Sequence, residues 1–189
     1  NKFLDAAKIL NDNFSALGPR FVNANPKSLI QSDPKKEIAE MEFISGACMF
    51  FRKEKFISLG GFDENFFLYF EESDLCLRAS KLNKNYQINT IKVKHYVGTS
   101  VSVKNKKEKR ELEKLYNWHF IWSKFYYYKK NYGYAYSLFY FLPVILRTIL
   151  KVIFYSIFKN QEKKENYLIR LDGLISSIKG LSSNKRINK

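Results

Sequence analysis

The chain has 189 residues, of which 46% are hydrophobic and 17% aromatic, so its composition excludes an intrinsically disordered protein and allows a packed core. Its two cysteines, Cys48 and Cys76, are too few for a disulfide framework and are expected to be reduced core residues of a cytosolic protein. The formal net charge is +15, and residues 101–189 hold 19 Lys and Arg against 6 Asp and Glu, which predicts two functional parts and an anionic partner for the second.

Helical and strand patterns alternate through the first hundred residues. The chain opens at Asn1 directly into a helical pattern, without a Met or a secretory signal, so we expect it to be a piece of a longer protein. The patterns predict, in order, a helix from Phe3 to Leu10, a short strand at 15–17, an exposed polar loop at 23–33, a buried strand at 43–51 and a short helix at 53–59 that ends at Gly60-Gly61.

A second helix and a further strand complete this half. The helix is predicted from Glu71 to Leu82, with an acidic first turn, and a turn follows at 83–85. Apolar residues then alternate with lysines and Tyr96, which predicts a strand over 91–97 with His95 on its apolar face. Because helices alternate with strands, we expect an α/β layer structure.

The second half is basic, aromatic and helical. Residues 108–128 read as a helix, 134–158 as a long apolar segment and 167–181 as a short amphipathic helix. Arg147 and Lys151 lie within the apolar segment, so a helix lying in the membrane interface is favoured over a full span. We therefore divide the chain into an α/β part, residues 1–104, and a helical membrane-associated region, residues 105–189.

Three carboxylates stand within four positions at Glu71, Glu72 and Asp74. Crowded carboxylates repel one another, so they favour a site that handles protons or a cation. On a helix, positions 71 and 74 share a face while 72 points elsewhere. The alternative is an acidic first helical turn with an ordinary pair between Asp74 and Arg78, four residues on.

Two further features have two interpretations each. His95 is either a core residue with one hydrogen bond or a metal ligand, and the second role needs carboxylate companions. The basic-aromatic second half could bind nucleic acid through phosphate contacts and stacking. Because its aromatics adjoin a long apolar stretch, a membrane surface is favoured and no nucleic-acid partner is expected.

Four segments, in this order, resemble the acceptor-side half of family-two inverting glycosyltransferases with the GT-A fold, especially their rhamnosyltransferase-like branch. The resemblance covers roughly residues 1–128. The segments are Ser45-Gly46-Ala47-Cys48-Met49-Phe50-Phe51-Arg52, Gly60-Gly61-Phe62-Asp63-Glu64 with Phe66-Phe67-Leu68-Tyr69, Glu71-Glu72-Ser73-Asp74-Leu75-Cys76-Leu77-Arg78, and His95-Tyr96-Val97-Gly98-Thr99-Ser100.

The resemblance implies a fold and a reaction. The fold would be the acceptor-side portion of a Rossmann-like mixed sheet, followed by membrane-associated helices. The second acid of the family's Glu-Asp motif is the general base, and it corresponds to Glu72, where Glu replaces the family's Asp. Glu71 and Asp74 would shape the catalytic site, His95 would help to hold Mg²⁺ or Mn²⁺, and the substrate-binding candidates are Gly46, Ala47, Asp63, Glu64, Tyr69 and Arg78.

The resemblance also implies partners and a location. The substrates would be a nucleotide-sugar donor and a glycan or lipid-linked acceptor, at the cytoplasmic face of the inner membrane. The family's Asp-x-Asp metal motif does not occur in this chain, so we expect the donor-binding half to be missing. The alternative function is a non-catalytic module that binds an anionic membrane surface.

Overall fold

The structure is a computed structural model that describes residues 1–22, 30–96 and 101–184. It is a mixed α/β fold with a three-stranded mixed sheet and long C-terminal helices. The elements are α1 (Lys2–Ile9), β1 (Leu17–Phe21), β2 (Ile38–Met41), α2 (Lys53–Ser58), α3 (Glu71–Ser80), β3 (Asn85–Val93), α4 (Lys106–Tyr132), α5 (Tyr134–Ile157) and α6 (Gln161–Ile178).

The chain forms two compact units. The sheet unit comprises residues 1–63 and 71–102, and the helical unit comprises residues 64–70 and 103–189. The short segment 64–70 therefore groups with the C-terminal helices.

The sheet unit is built on β3, which lies between the other two strands. β1 pairs with β3 in parallel and β2 pairs with it in antiparallel orientation, which gives the order β1-β3-β2. Pro19 lies in β1, where an edge position tolerates its missing N–H. The core beside the sheet contains Ala7 of α1 and Leu17 and Ile88 of the strands.

Local sequence signals explain the short helices of this unit. The Asn1 side chain caps α1 by accepting a hydrogen bond from the Phe3 N–H, and the helix ends before Asn11 and Asp12, which adopt left-handed backbone angles. After α2, Gly60 and Gly61 have φ values of 76° and 67°, where glycine is favoured.

The predicted strand at 43–51 is wrong. The chain turns at Gly46 and Ala47, and only an isolated bridge joins Leu17 to Phe50. Within this run Ile44 is buried in a core cluster with Ala16 and Cys76, and Phe43, Met49 and Phe51 are half-buried against that cluster. Apolar runs of this length fit a strand or a packed loop equally well.

The bounds of the other strands also differ from the predicted ones. β2 was not predicted, β3 begins at Asn85 where a turn was expected, and His95 follows the end of β3. Residues 23–29 of the predicted loop and 97–100 of the family-like segment lie outside the described residues.

The helical unit packs α4, α5 and α6 around a shared apolar core. Ile121 and Phe125 of α4, Phe141 of α5 and Leu174 of α6 form its buried cluster. Gly173 allows α6 to approach α4 closely, because a β-carbon there would lie 2.7 Å from the Trp118 carbonyl oxygen.

Segment 64–70 packs against α4 within the same unit. The Ser123 hydroxyl donates a hydrogen bond to the Leu68 carbonyl oxygen at 2.7 Å, and the Phe66 ring meets Tyr126 edge-on at 4.9 Å. The Ser183 hydroxyl donates to the Asn65 carbonyl oxygen at 2.7 Å. These contacts fix the backbone of the segment at both ends.

Helix α5 exposes most of its apolar surface. By length and composition it is apolar enough to cross a membrane, and little of that stretch is buried. Phe139 is 80% exposed, and Leu146 and Leu150 are also open to solvent. Large exposed apolar surfaces indicate contact with a membrane or another partner.

We expect Gly173→Ala to destabilise the helical unit by about 1–3 kcal/mol, since the added carbon meets a backbone oxygen that can move only with its helix. Thermal unfolding in neutral detergent measures the effect. Leu168→Ala, at an exposed position of α6, is the control and should change stability by no more than about 0.5 kcal/mol. Equal melting temperatures for Gly173→Ala and the unaltered chain would contradict the close approach.

Candidate functional site

The crowded carboxylates open helix α3. Glu71 and Glu72 are its first two residues, where the helix dipole stabilises negative charge. Directly before them, Tyr69 and Phe70 have φ values of 68° and 70°. Bulky residues rarely adopt this left-handed conformation, which costs about 1–3 kcal/mol each, and such strain clusters at functional sites.

The loop at 42–49 is held against α3 by the Cys76 side chain. The Ile44 N–H donates to Cys76 Sγ at 3.3 Å, and the thiol donates back to the Ile44 carbonyl oxygen at 3.6 Å. Burial is the main cause that raises the pKa of Cys76 to about 11, with the Glu72 charge adding to it, so the thiol remains a donor at neutral pH.

A second anchor holds the start of the same loop. Asn85 is buried, and its side-chain amide donates to the carbonyl oxygens of Glu42 at 3.4 Å and Cys76 at 3.3 Å. Ile44 also covers Gly18, where a β-carbon would lie only 2.4 Å from its Cγ2 atom. The loop is therefore fixed between β1, β3 and α3.

This fixed loop brings Gly46 against Glu72. A β-carbon at Gly46 would lie 3.3 Å from Cβ and 3.6 Å from Cδ of Glu72, so a larger side chain would press on the carboxylate arm. Gly46 itself is exposed. The loop thus partly covers Glu72 while leaving the surface beside Gly46 open to solvent.

The environment of Glu72 raises its pKa above the ordinary value of 4.5. Burial is the main cause, and the negative charge of Glu71 adds to it, while the backbone N–H groups of Glu72 and Gly46 oppose the shift. Within the described residues, one buried oxygen of Glu71 and one of Glu72 have no hydrogen-bond partner. Buried carboxylate oxygens normally have partners, so these two atoms indicate a place for a ligand or water.

Asp74 and Arg78 form the predicted pair. Asp74 is fully buried, and its Oδ2 atom accepts a hydrogen bond from Arg78 Nε at 2.8 Å. The same guanidinium donates to the carbonyl oxygens of Leu59 and, at 2.8 Å, Gly61. The pair therefore fastens the glycine turn to α3, which favours a positioning role for both residues.

The remaining predicted residues are divided between the two units. Ala47 is exposed, and Asp63 is half-buried at the end of the first stretch of the sheet unit. His95 is half-buried there, with its ring 5.8 Å from that of Phe21. Glu64 and Tyr69 belong to the helical unit, where the Tyr69 ring contacts Phe120 at 5.6 Å.

The described residues do not form a metal centre on their own. In residues 1–22, 30–96 and 101–184, no group of three or more His, Cys, Asp or Glu side chains is placed to hold a metal ion. Within these ranges His95 is therefore not part of a three-ligand group.

Sequence reasoning missed the residues that hold the site in place. The patterns predict Ile44 in a strand and Asn85 in a turn, and they give no hydrogen-bonding role to Cys76, whose predicted place in the core as a reduced thiol is confirmed. Their contacts join positions more than 30 residues apart, and no local pattern carries that information. One signal was available, because Cys76 follows Glu72 by four residues and so shares its helical face.

Comparison of the chain with models of known protein families, with curated proteins and with solved structures finds no significant match.

Because the Glu72 pKa is raised, its carboxylate destabilises the fold once it is charged. Below the pKa that Glu72 has in the unfolded chain, its carboxyl is protonated in both the folded and the unfolded state. As the pH rises through the higher pKa of the folded state, the folded chain must carry a desolvated charge, and its stability falls. We expect Glu72→Gln to be more stable than the unaltered chain at about pH 8, with a smaller difference at about pH 5.

Urea unfolding at both pH values measures this difference, and Glu54→Gln, at an exposed position of α2, is the control. A lower stability of Glu72→Gln at about pH 8 would show that the carboxylate has a stabilising partner, contrary to the burial argument.

Proposed function

We propose that this chain is the acceptor-side part of an inverting glycosyltransferase of family two with the GT-A fold, in which Glu72 is the general base. The observation that carries the proposal is the Glu72 carboxylate, which is largely buried, has a raised pKa and offers an oxygen with no protein partner among the described residues. A carboxylate with these properties is suited to proton transfer.

In the proposed step, one Glu72 oxygen accepts the proton of an acceptor hydroxyl. The hydroxyl oxygen attacks the anomeric carbon of the nucleotide-activated sugar, and a new C–O bond forms as the bond to the diphosphate breaks. The nucleoside diphosphate leaves with the electron pair, the configuration inverts, and the proton passes from Glu72 to solvent. The raised pKa of Glu72 makes the carboxylate a stronger base than an exposed one.

The neighbouring residues have supporting roles in this proposal. Glu71 raises the proton affinity of Glu72 through its charge, and the Gly46 N–H limits that rise. Asp74 and Arg78 position the first turns of α3 through the glycine turn. Substrate contacts are proposed for Gly46, Ala47 and Asp63 of the sheet unit, which are exposed or half-buried, and contacts by Glu64 and Tyr69 of the helical unit stay predictions of the resemblance.

A divalent cation, Mg²⁺ or Mn²⁺, stays a prediction of the resemblance. Such a cation neutralises the developing charge of a leaving diphosphate. Mg²⁺ is often held by one or two carboxylates together with substrate phosphates rather than by a complete protein site. The described residues lack a three-ligand group, so we propose that the diphosphate of the bound donor supplies most of the cation's ligands and that His95 is a further candidate ligand.

The proposal includes attachment to an anionic membrane at the cytoplasmic face of the inner membrane. Helix α5 supplies exposed apolar side chains, among them Leu146 and Leu150, and the surrounding region carries the basic excess. Apolar burial and attraction to anionic lipids act together in interfacial helices. This arrangement would keep the enzyme near a lipid-linked acceptor used in cell-surface glycan synthesis.

Glu72→Gln should abolish sugar transfer by the protein as its gene encodes it, because an amide cannot accept the hydroxyl proton at neutral pH. The expected loss is at least about 100-fold in kcat, the range attributed to general-base catalysis. Product formation from nucleotide sugars is the measurement.

Glu72→Asp, which restores the family's own residue, should retain measurable transfer. Glu54→Gln should leave transfer unchanged, since Glu54 is exposed on α2. Full activity of Glu72→Gln would refute the assignment of the base.

The membrane component predicts flotation of the chain with lipid vesicles. Binding to vesicles that contain anionic lipid should weaken as salt is raised but keep a salt-resistant part from α5. Leu146→Gln with Leu150→Gln should reduce the salt-resistant part, whereas Leu4→Gln with Ile9→Gln, at exposed positions of α1, should not. If the chain does not bind vesicles but lowers the electrophoretic mobility of single-stranded RNA, the nucleic-acid alternative would be supported.

A further inference from the structure

A cavity of about 610 Å³ opens between the three helices of the helical unit. Four cationic side chains line it: Lys124 from α4, Arg147 from α5, and Lys163 and Arg170 from α6. No acidic residue is part of its lining. Like charges gathered around one cavity repel each other, so the arrangement favours an anion.

The four cations are not used in ion pairs within the described part of the chain, whereas their neighbours are. Lys114 binds Glu165 at 2.6 Å and Glu111 at 2.8 Å, and Arg110 also pairs with Glu165. The hydrogen bond from Lys114 lowers the pKa of Glu165, so this acid is charged and already occupied. The helical unit therefore neutralises one group of cations and leaves the cavity group without carboxylate partners.

Neutral polar and aromatic residues also line the cavity. Asn117 of α4 and Asn166 of α6 belong to its lining. Tyr155 stacks on Tyr167 with ring centroids 5.6 Å apart, and the Lys163 ammonium lies 5.3 Å from the Tyr155 ring centroid. This cation–π contact favours the position of the Lys163 ammonium beside the aromatic pair.

Apolar side chains also line the cavity. Phe120, Phe141 and Val144 line it together with Ile121. The volume is within the range of small-molecule sites, roughly 300–1,000 Å³, and is larger than a phosphate group requires. Cations and apolar side chains in one lining match a ligand with an anionic head and an apolar chain.

We propose that this cavity binds the phosphate head of an amphiphile, a lipid phosphate or diphosphate, whose chain lies along the apolar side chains of α4 and α5. Arg and Lys are suited to phosphate oxygens, Arg through paired N–H donors and Lys as a point charge. The exposed apolar surface of α5 favours a lipid over a nucleic acid. The inference rests on the helical unit alone and does not depend on sugar transfer.

The test is equilibrium binding to the full chain in a neutral detergent, with probes that separate head from chain. Lysophosphatidic acid carries a phosphate and an acyl chain, glycerol phosphate has the head alone, and lysophosphatidylcholine has the chain with a neutral head group. We expect saturable binding of lysophosphatidic acid, at least about tenfold tighter than of either other probe.

Two pairs of substitutions locate the site. Lys124→Gln with Arg170→Gln, and separately Arg147→Gln with Lys163→Gln, should each weaken lysophosphatidic acid binding at least about tenfold, since each removes two charge-assisted contacts. The second pair is at exposed positions and preserves folding should the first pair fail to fold. The control, Lys107→Gln with Lys109→Gln in the exposed first turns of α4, removes the same charge and should change affinity by less than about twofold.

Three results would overturn the proposal. Equal weakening by the control and the cavity pairs would show general charge attraction without a site. Equal affinity for glycerol phosphate and lysophosphatidic acid would exclude a lipid and leave a free phosphate as the ligand. Tighter, cavity-dependent binding of a single-stranded RNA oligonucleotide would assign the cations to nucleic acid.

Discussion

The reciprocal contact between the Ile44 backbone and the Cys76 thiol is the constraint on which the candidate site depends. It satisfies both polar groups of Ile44 in a loop that has no strand partner, and burial keeps the thiol protonated so that it can donate as well as accept. With Ile44 held, Gly46 lies against the Glu72 side chain and helps to exclude water from it. The resulting desolvation lowers stability at neutral pH and strengthens Glu72 as a base, so one contact produces both effects.

The helical unit pairs some of its cationic side chains with acids and leaves others without an ion pair among the described residues. Glu165 joins Arg110 and Lys114, which binds the ends of α4 and α6 together, although such exposed pairs contribute little stability. Further along the same helices, Lys124 and Arg170 face a cavity without acids. An acidic side chain in the cavity would reduce the repulsion between these cations. Because the lining has none, a bound anion or solvent must reduce it.

The parts of the fold that sequence predicted are those in which local pattern determines structure. Helix α3 was predicted because Leu75 and Ala79 recur at helical spacing, and both are buried. The three C-terminal helices follow from similar local patterns. β2 and the start of β3 were missed because they depend on pairing Met41 with Asn85, which are distant in sequence. The crowded acids indicated a site, and the resemblance alone singled out Glu72 as its base. The covering of Glu72 by Gly46 and the grouping of cations from three helices depend on tertiary contacts that no local pattern predicts.

The backbone before Glu71 shows how such tertiary contacts override local preference. Glycine would adopt the left-handed angles of Tyr69 and Phe70 without strain. Both rings, however, pack on Phe120 of α4, and Phe70 also contacts Tyr127, while the Ser123 hydroxyl holds the Leu68 carbonyl one residue earlier. A glycine would remove the strain together with the ring contacts. The left-handed backbone of Tyr69 and Phe70 is therefore stable only because α4 holds their rings in place. The sequence of segment 64–70 alone does not specify this conformation.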